Sequence, residues 1–288
     1  MNQKEVSALI NLLDDPDDAI FEQISSKIIS LGNEVIPFLE SAWESSFDTV
    51  LQQRIENLIH TIQFGEVRNN LVEWKQDEGK DLLKGVILIA KYQYPDFDEE
   101  KFYAQLKKIK DDIWLELNPN LTALEQIKVV NHVFFDVYGF SGNTGNFHAP
   151  QNSYINTVLE TKKGNPLSLS IIYSHLCQEL DVPVFGVNLP EHFILAYVEE
   201  NVLWKISQLD EGSNVLFYIN TFSKGTIFSK KEIDSFLKQL KLEPSKKYYE
   251  PCSNIDIVKR LLRNLIGAYE KLGYPEKVNE IKELLSCF

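Results

Sequence analysis

The stretch from Asn152 to Tyr197 decides the fold, and it reads NSYINTVLETKKGNPLSLSIIYSHLCQELDVPVFGVNLPEHFILAY. Its long apolar run predicts a helix over 166–180. Asn165 is a good N-cap residue, and proline is favoured in the first helical turn, where Pro166 stands. The beginning of this helix is therefore the first place to look for chemistry.

The second half of the stretch predicts a short β unit, with strands over 183–187 and 193–198. It carries one histidine, His192, which we expect on a strand that faces the helix start. A thiol at a helix N-terminus becomes a thiolate at neutral pH beside an imidazole, because the dipole and the imidazolium both stabilise the anion. No cysteine lies at this helix start, and Ser168 is the nearest side chain able to act as a nucleophile. The same hydroxyl could instead cap the first helical turn.

The composition is that of a globular protein with a large core. Of the 288 residues, 44% are hydrophobic and 25% are charged, and the formal net charge is −13. Such acidity argues against a nucleic-acid-binding protein, which needs clustered lysine and arginine. No window approaches the roughly 18 apolar residues of a membrane helix, so no membrane span or membrane partner is expected.

The three cysteines, Cys177, Cys252 and Cys287, are widely separated in the chain. They form no CxxC or Cys/His spacing, so we predict neither a metal site nor another cofactor. Their small number fits a reducing compartment, and the N-terminus lacks the features of a signal peptide. We therefore expect a cytoplasmic protein. Cys177 lies too far along the helix from Ser168 to share its N-terminal field, so we place this thiol in the core.

Working outward, we divide the chain into segments over 1–65, 66–245 and 246–288. The first reads as helices only, and LINLLDDPDD followed by LGNEVIPFLESAW resembles a HEAT-type helical repeat, whose paired helices stack on neighbours. The last contains VKRLLRNLIGAYEKLGYPEKVNEI, which resembles one tetratricopeptide-type helix pair. One such pair is too short for a binding groove, so we expect it to form a lid or cap on the main domain. Taken together, the helical repeats at both ends favour a role in protein contact.

The middle segment begins with helices and ends with strands. The helix over 82–92 is apolar nearly all round, which indicates a central position. Thr122 and Glu125 have the spacing of a capping box and predict a helix start. Beyond the β unit described above, alternation predicts further strands over 202–206 and 215–219. The strands would form a small antiparallel sheet behind the 166–180 helix.

Four motifs in this order resemble the SirB-like branch of the transglutaminase-like superfamily: NHVFFDVYGFSGN, NSYINTVLETKKGNPLSLSIIY, LDVPVFGVNLPEHFILAY and FYINTFSKGTIFS. The resemblance covers roughly residues 70 to 240. It implies an α+β fold, here mainly α, in which a helix packs on a sheet as in papain. The helix start would hold a nucleophile, and the sheet would carry its histidine and aspartate partners.

The resemblance also implies residue roles, and the chain departs from two of them. The cysteine position falls near Pro166, within a residue or two, and the aspartate position is occupied by Asn220. His192 matches the family histidine and would be the general base. Asn220 could orient its ring but could not stabilise the imidazolium by charge. Asp210 is a possible substitute, although its polar loop favours a solvated side chain.

The remaining matched positions suggest a ligand site before the 166–180 helix. We assign ligand binding to Asn152, Tyr154, Asn156 and Asn165. The favoured interpretation is a binding module for a protein or peptide that has lost cysteine-based catalysis. The alternative is a hydrolase or acyltransferase that uses Ser168 with His192 and Asn220, and a third interpretation is a structural scaffold. Sequence does not indicate an oligomeric state.

Overall fold

A computed structural model of the chain describes residues 3–199 and 214–288. Its contacts divide it into two compact units. One unit covers Met1–Glu73 and Lys91–Pro95, and the other covers Trp74–Ala90 and Asp96–Phe288. Within the described ranges, no helix combines the length and the apolar character that crossing a membrane requires.

The first unit is helical, as its sequence predicts. Its helices are α1 (Gln3–Ile10), α2 (Asp18–Ile29), α3 (Ile36–Ser45) and α4 (Thr49–Gln76), the last of which continues into the second unit. Asp17 caps α2 by accepting a hydrogen bond from the Ala19 N–H. The apolar faces share one core that includes Leu13, Ile28 and Ile55, all fully buried. Burial of these faces is the main source of stability for short helices.

The second unit contains most of the remaining helices and all described strands. Its helices in chain order are α5 (Leu82–Gln93, which ends in the first unit), α6 (Glu99–Glu116), α7 (Ala123–Asn131), α8 (Ile155–Thr161), α9 (Pro166–Gln178), α10 (Lys230–Gln239), α11 (Asn254–Leu272) and α12 (Pro275–Ser286). The predicted capping box of Thr122 and Glu125 begins α7. A π-helical turn over His132–Val137 follows α7. The predicted central helix α5 is buried on most sides.

The second unit contains a four-stranded antiparallel sheet. Its strands are β3 (Val184–Val187), β4 (Ile194–Val198), β5 (Val215–Asn220) and β6 (Thr226–Phe228), in that order. Two shorter segments, β1 (Ser141–Gly142) and β2 (Lys163–Gly164), pair in parallel elsewhere. Alternate residues of β4 face opposite sides: Ile194 and Ala196 pack with Ile233 and Leu237 of α10. The other side of the sheet packs on α9.

The predicted fold class, α+β and mainly α, is confirmed, and so is the sheet behind α9. One detail is wrong, because His192 precedes β4 and does not lie on the strand. The elements α8, α10 and β6 were not predicted. The predicted strand over 202–206 lies outside the described residues.

Candidate functional site

Helix α9 begins with a reciprocal capping box, which confirms Asn165 as its N-cap. The Ser168 backbone N–H donates to Asn165 Oδ1 at 2.9 Å, and the Asn165 N–H donates to Ser168 Oγ at 3.1 Å. Pro166 stands in the first turn, where its missing N–H leaves no helical hydrogen bond unmade. The helix start is thus closed by its own residues.

Ser168 is fully buried and its hydroxyl is fully occupied. Besides accepting from Asn165, its Oγ donates to the Asn152 carbonyl oxygen at 2.6 Å. A hydroxyl has one proton to donate, so this bond uses it. Ser168 therefore joins α9 to the preceding loop.

Asn152 holds that loop in place through its side chain. Its amide nitrogen donates to the carbonyl oxygens of Asn146 and Phe147, at 2.7 and 3.0 Å. Its amide oxygen accepts from Asn143 at 2.9 Å. These bonds use both amide protons of a buried asparagine, and they fix the loop that borders the beginning of α9.

Tyr154 and Asn156 lie at the beginning of α8, close in sequence to Asn152. Tyr154 is buried, and its hydroxyl lies 2.9 Å from the Tyr269 hydroxyl of α11. Asn156 Oδ1 is buried without a hydrogen-bond donor among the residues that the structure describes. The four predicted ligand residues are Asn152, Tyr154, Asn156 and Asn165. Two of them, Asn152 and Asn165, are linked through Ser168, which bonds to both.

His192 and Asn220 have partners of their own. The exposed His192 ring lies 4.9 Å from the Phe236 ring of α10, measured between centroids. Asn220 Oδ1 accepts from the N–H groups of Phe222 and Ser223, at 3.1 and 3.2 Å, and so caps the turn after β5. Across the described ranges, no hydrogen bond links Ser168, His192 and Asn220. Asp210 lies outside the described residues.

A cleft of about 280 Å³ opens beside the beginning of α9. We call it the α9 cleft. Its walls come from α9, from the loop before α8, from the residues before β4 and from α11. The charged and ionisable residues among its lining are His148, Glu191, Arg260, Arg263 and Lys271.

The α9 cleft is predominantly cationic. Arg260 Nη1 donates to Asn188 Oδ1 and to the Leu189 carbonyl oxygen, which fixes the guanidinium. Burial lowers the pKa of Arg260, and the like charge of Arg263 acts in the same direction. Within the part of the chain that the structure describes, the Arg263 guanidinium makes no hydrogen bond or ion pair with another side chain or carbonyl, and the residue is exposed. The cleft therefore holds repelling cations that an anionic group would stabilise.

The far end of the α9 cleft is formed by Lys271 and His148. Lys271 Nζ lies 2.9 Å from His148 Nε2 and 3.2 Å from His148 Nδ1. Glu191 is the one carboxylate among the described lining residues. The sequence analysis did not identify the three α11 cations, Arg260, Arg263 and Lys271. They are separated by three and by eight residues, and such spacings place side chains on one face of a helix.

A family model described as the transglutaminase-like superfamily matches residues 100–263, more than half of the chain. The chain belongs to this superfamily. The match includes Arg260 and Arg263 of the cationic cleft and ends before Lys271.

Comparison with curated proteins finds several relatives of this transglutaminase-like chain. A UPF0162 protein of Xylella fastidiosa (strain Temecula1) is 32% identical over 136 residues, which are 47% of this chain and 48% of the relative. UPF0162 protein YchA of Escherichia coli K12 is 23% identical over 208 residues, 72% of this chain and 73% of the relative. F-box only protein 21 of Mus musculus is 24% identical over 254 residues, 80% of this chain and 39% of the relative. The chain spans about half the length of the Xylella relatives. No solved structure matches.

The cysteines of this transglutaminase-like chain lie away from the beginning of α9. Cys177 is fully buried near the end of α9, and burial raises the pKa of its thiol far above the usual range. Burial, with a smaller contribution from Asp256, raises the pKa of Cys252 to about 12. Neither thiol is prepared as a nucleophile. Across the described ranges, no group of three His, Cys, Asp or Glu side chains could hold a metal ion.

Proposed function

We propose that this transglutaminase-like domain binds an acidic segment of a protein or peptide in the α9 cleft and performs no cysteine-based acyl transfer. The observation that carries the proposal is the group of Arg260, Arg263 and Lys271 around one cleft, with a single carboxylate among the described lining residues. A carboxylate would make charge-assisted hydrogen bonds there.

The chemistry at the helix start supports a binding role over a catalytic role. Proline stands near the position where the family's thiol would lie, and Ser168 uses its proton on the Asn152 carbonyl. A serine hydroxyl gains less than a thiol from a helix dipole, because its pKa is far higher. It would need an aligned base, and the His192 ring packs on Phe236.

The finer classification belongs to the same proposal. We assign the chain to the SirB-like branch, with a HEAT-like helical segment before the family domain and a tetratricopeptide-like pair, α11 and α12, after it. Helical repeats of these kinds contact other proteins. The proposed ligand is therefore a protein or peptide of the cytoplasm. The proposal includes no membrane and no nucleic acid as a partner.

The test is a binding titration with a defined probe. A short fluorescein-labelled peptide of glutamates and serines, with blocked ends, is titrated with the whole chain and followed by fluorescence anisotropy. Arg263→Gln should weaken binding about tenfold or more, because it removes a charge-assisted hydrogen bond. Lys259→Gln is the matched control, since Lys259 is a cation of the same helix outside the cleft lining. Absence of binding, or equal binding by both variants, would refute the proposal.

The alternative is a hydrolase or acyltransferase that uses Ser168, His192 and Asn220. It requires the Ser168 hydroxyl to leave the Asn152 carbonyl and meet an imidazole nitrogen. We expect a fluorophosphonate probe to leave Ser168 unlabelled in the folded protein, as mass spectrometry can verify. Labelling of Ser168 that disappears in His192→Ala would establish the enzymatic alternative.

A further inference from the structure

A second cleft, of about 560 Å³, adjoins the α9 cleft. We call it the Asp256 cleft, and its lining includes Pro190, Lys247, Glu250, Asp256 and Arg260. Arg260 lines both clefts, so the two meet at its side chain. Residues of one α11 face line both clefts, and we call the two clefts with this face the groove.

The groove is long enough for a peptide. The α11 residues that line it are Asp256, Arg260, Arg263, Gly267 and Lys271, at successive spacings of three or four residues. Such spacing puts them on one face of the helix. From Asp256 to Lys271 the helix rises by about 22 Å at 1.5 Å per residue. An extended peptide of about seven residues has that length.

Gly267 keeps this face open between Arg263 and Lys271. It lies in the interior of α11, where glycine is less favourable than alanine. A Cβ atom built on Gly267 would meet no described atom within 4 Å. By contrast, a Cβ on Gly164 would lie 2.6 Å from Ser168 Oγ, so packing within the chain explains that glycine. Packing does not explain Gly267, whereas close approach of a ligand main chain would.

The two ends of the groove differ in charge. The α9 cleft presents Arg263 and Lys271 at one end. The Asp256 cleft presents the carboxylates of Glu250 and Asp256 at the other end, together with Lys247 and the shared Arg260. Lys247 Nζ lies 5.0 Å from the centre of the Tyr248 ring, so an aromatic face contacts this ammonium. A ligand that matches the groove would therefore be acidic at one end and basic at the other.

We propose that the ligand is an extended peptide of about seven residues that lies along α11. Its acidic side chains contact Arg263 and Lys271, its main chain passes over Gly267, and a basic side chain contacts Glu250 and Asp256. The acidic end rests on the proposed function. The length, the basic end and the role of Gly267 go beyond it.

The first test compares two peptides with blocked ends. One is short and carries two glutamates, and the other extends it with serines to about seven residues and ends in a lysine. The longer peptide should bind about tenfold more tightly, because it adds a charge-assisted contact. Asp256→Asn should remove most of that gain and leave binding of the short peptide unchanged.

The second test obstructs the groove between Arg263 and Lys271 with Gly267→Leu. Leucine is a strong helix former, so this variant should raise the melting temperature of the protein. It should also weaken binding of the longer peptide at least tenfold. Gly65→Leu is the matched control, since Gly65 lies within α4 and also faces open space. This control should be at least as stable as the parent protein and should bind the longer peptide normally.

The outcomes separate this inference from the proposed function. If the short acidic peptide binds but the longer one gains nothing, or if Gly267→Leu binds normally, the inference is wrong and the proposed function stands. If the short peptide fails to bind, the proposed function is wrong. Tighter binding of the longer peptide that Asp256→Asn and Gly267→Leu both abolish would establish the extended ligand.

Discussion

At the residue scale, Ser168 makes three hydrogen bonds at the helix start, two through its hydroxyl and one through its N–H. Its Oγ donates to the Asn152 carbonyl and accepts from the Asn165 N–H, while its own N–H donates to the Asn165 side chain. Serine can act as a nucleophile in other proteins, but in this chain Ser168 completes a helix cap. The consequence can be measured as stability.

Ser168→Ala should lower the free energy of unfolding by about 1–3 kcal/mol, because the Asn152 carbonyl and the Asn165 N–H both lose a partner in a buried site. Urea denaturation gives this value. Ser174→Ala is the control, since Ser174 is also buried but donates at 3.3 Å to the Ile171 carbonyl within the helix. It should cost less than about 1 kcal/mol. Equal losses would contradict the capping role.

The cysteines differ in accessibility, and alkylation can rank them. Iodoacetamide at pH 8 should modify the partly exposed Cys287 first and the buried Cys177 last. Burial raises the pKa of Cys252 to about 12. Its thiolate fraction at pH 8 is therefore about one in ten thousand, and its labelling rate should rise about tenfold per pH unit. Peptide mass spectrometry measures all three rates. Rapid modification of Cys177 in the folded protein would contradict its burial.

At the element scale, long patterns were predictable and short elements were not. The sequence predicted α5 and α9 from apolar runs and β3 to β5 from alternation. It did not predict α8, which has only 7 residues and no side-chain hydrogen bond at its N-cap. Short helices depend on tertiary contacts, which local sequence does not contain.

The candidate site was predictable on one side only. The loop and helix start near Asn152 and Asn165 were singled out because their motifs resemble those of the transglutaminase-like superfamily. The cations of α11 were not, because charged residues on an amphipathic helix normally indicate a solvent-exposed face. Which loop approaches that face is decided by long-range packing, such as the contact between the Tyr154 and Tyr269 hydroxyls.

The connection of α7 to the turn after β5 gives a prediction at this scale. Asn131 donates to the Gly225 carbonyl at 3.1 Å and accepts from the Tyr173 hydroxyl at 2.9 Å. A Cβ atom on Gly225, whose φ is +71°, would lie 2.0 Å from Asn131 Oδ1. Gly225→Ala should therefore cost more than about 2 kcal/mol of unfolding free energy, from backbone strain and the broken link together.

Gly139→Ala provides the control for Gly225→Ala. Gly139 has a similar φ of +73°, but a Cβ there would meet open space. It should cost only about 1 kcal/mol, the backbone contribution alone. Both values come from chemical denaturation, and the difference between them measures the link through Asn131. Equal costs would show that this link contributes nothing.

At the scale of the whole molecule, a cationic cleft lies within a chain of net charge −13. The cleft attracts anions over short distances, whereas the whole molecule repels them over longer distances. At physiological ionic strength charges interact over about 8 Å. A short acidic peptide can place its carboxylates inside the cleft, but a long polyanion leaves most of its charge against an acidic surface.

A labelled single-stranded oligonucleotide of about 20 nucleotides should therefore show no saturable binding at concentrations that saturate with the acidic peptide. Raising the salt concentration should weaken binding of the peptide, because the Arg263 and Lys271 contacts are partly exposed and are screened. Anisotropy titrations at several salt concentrations measure both effects. Oligonucleotide binding as tight as that of the peptide would contradict this account.

The position of α11 has a consequence for how recognition could change within such a chain. The family match ends at residue 263, whereas Gly267 and Lys271 line the groove from beyond that point. Most residues that line the groove thus lie within the family match, whereas the second half of α11 contributes lining residues from outside it. Substitutions in the second half of α11 could redirect the protein to a new ligand without disturbing the helix and sheet that define the fold.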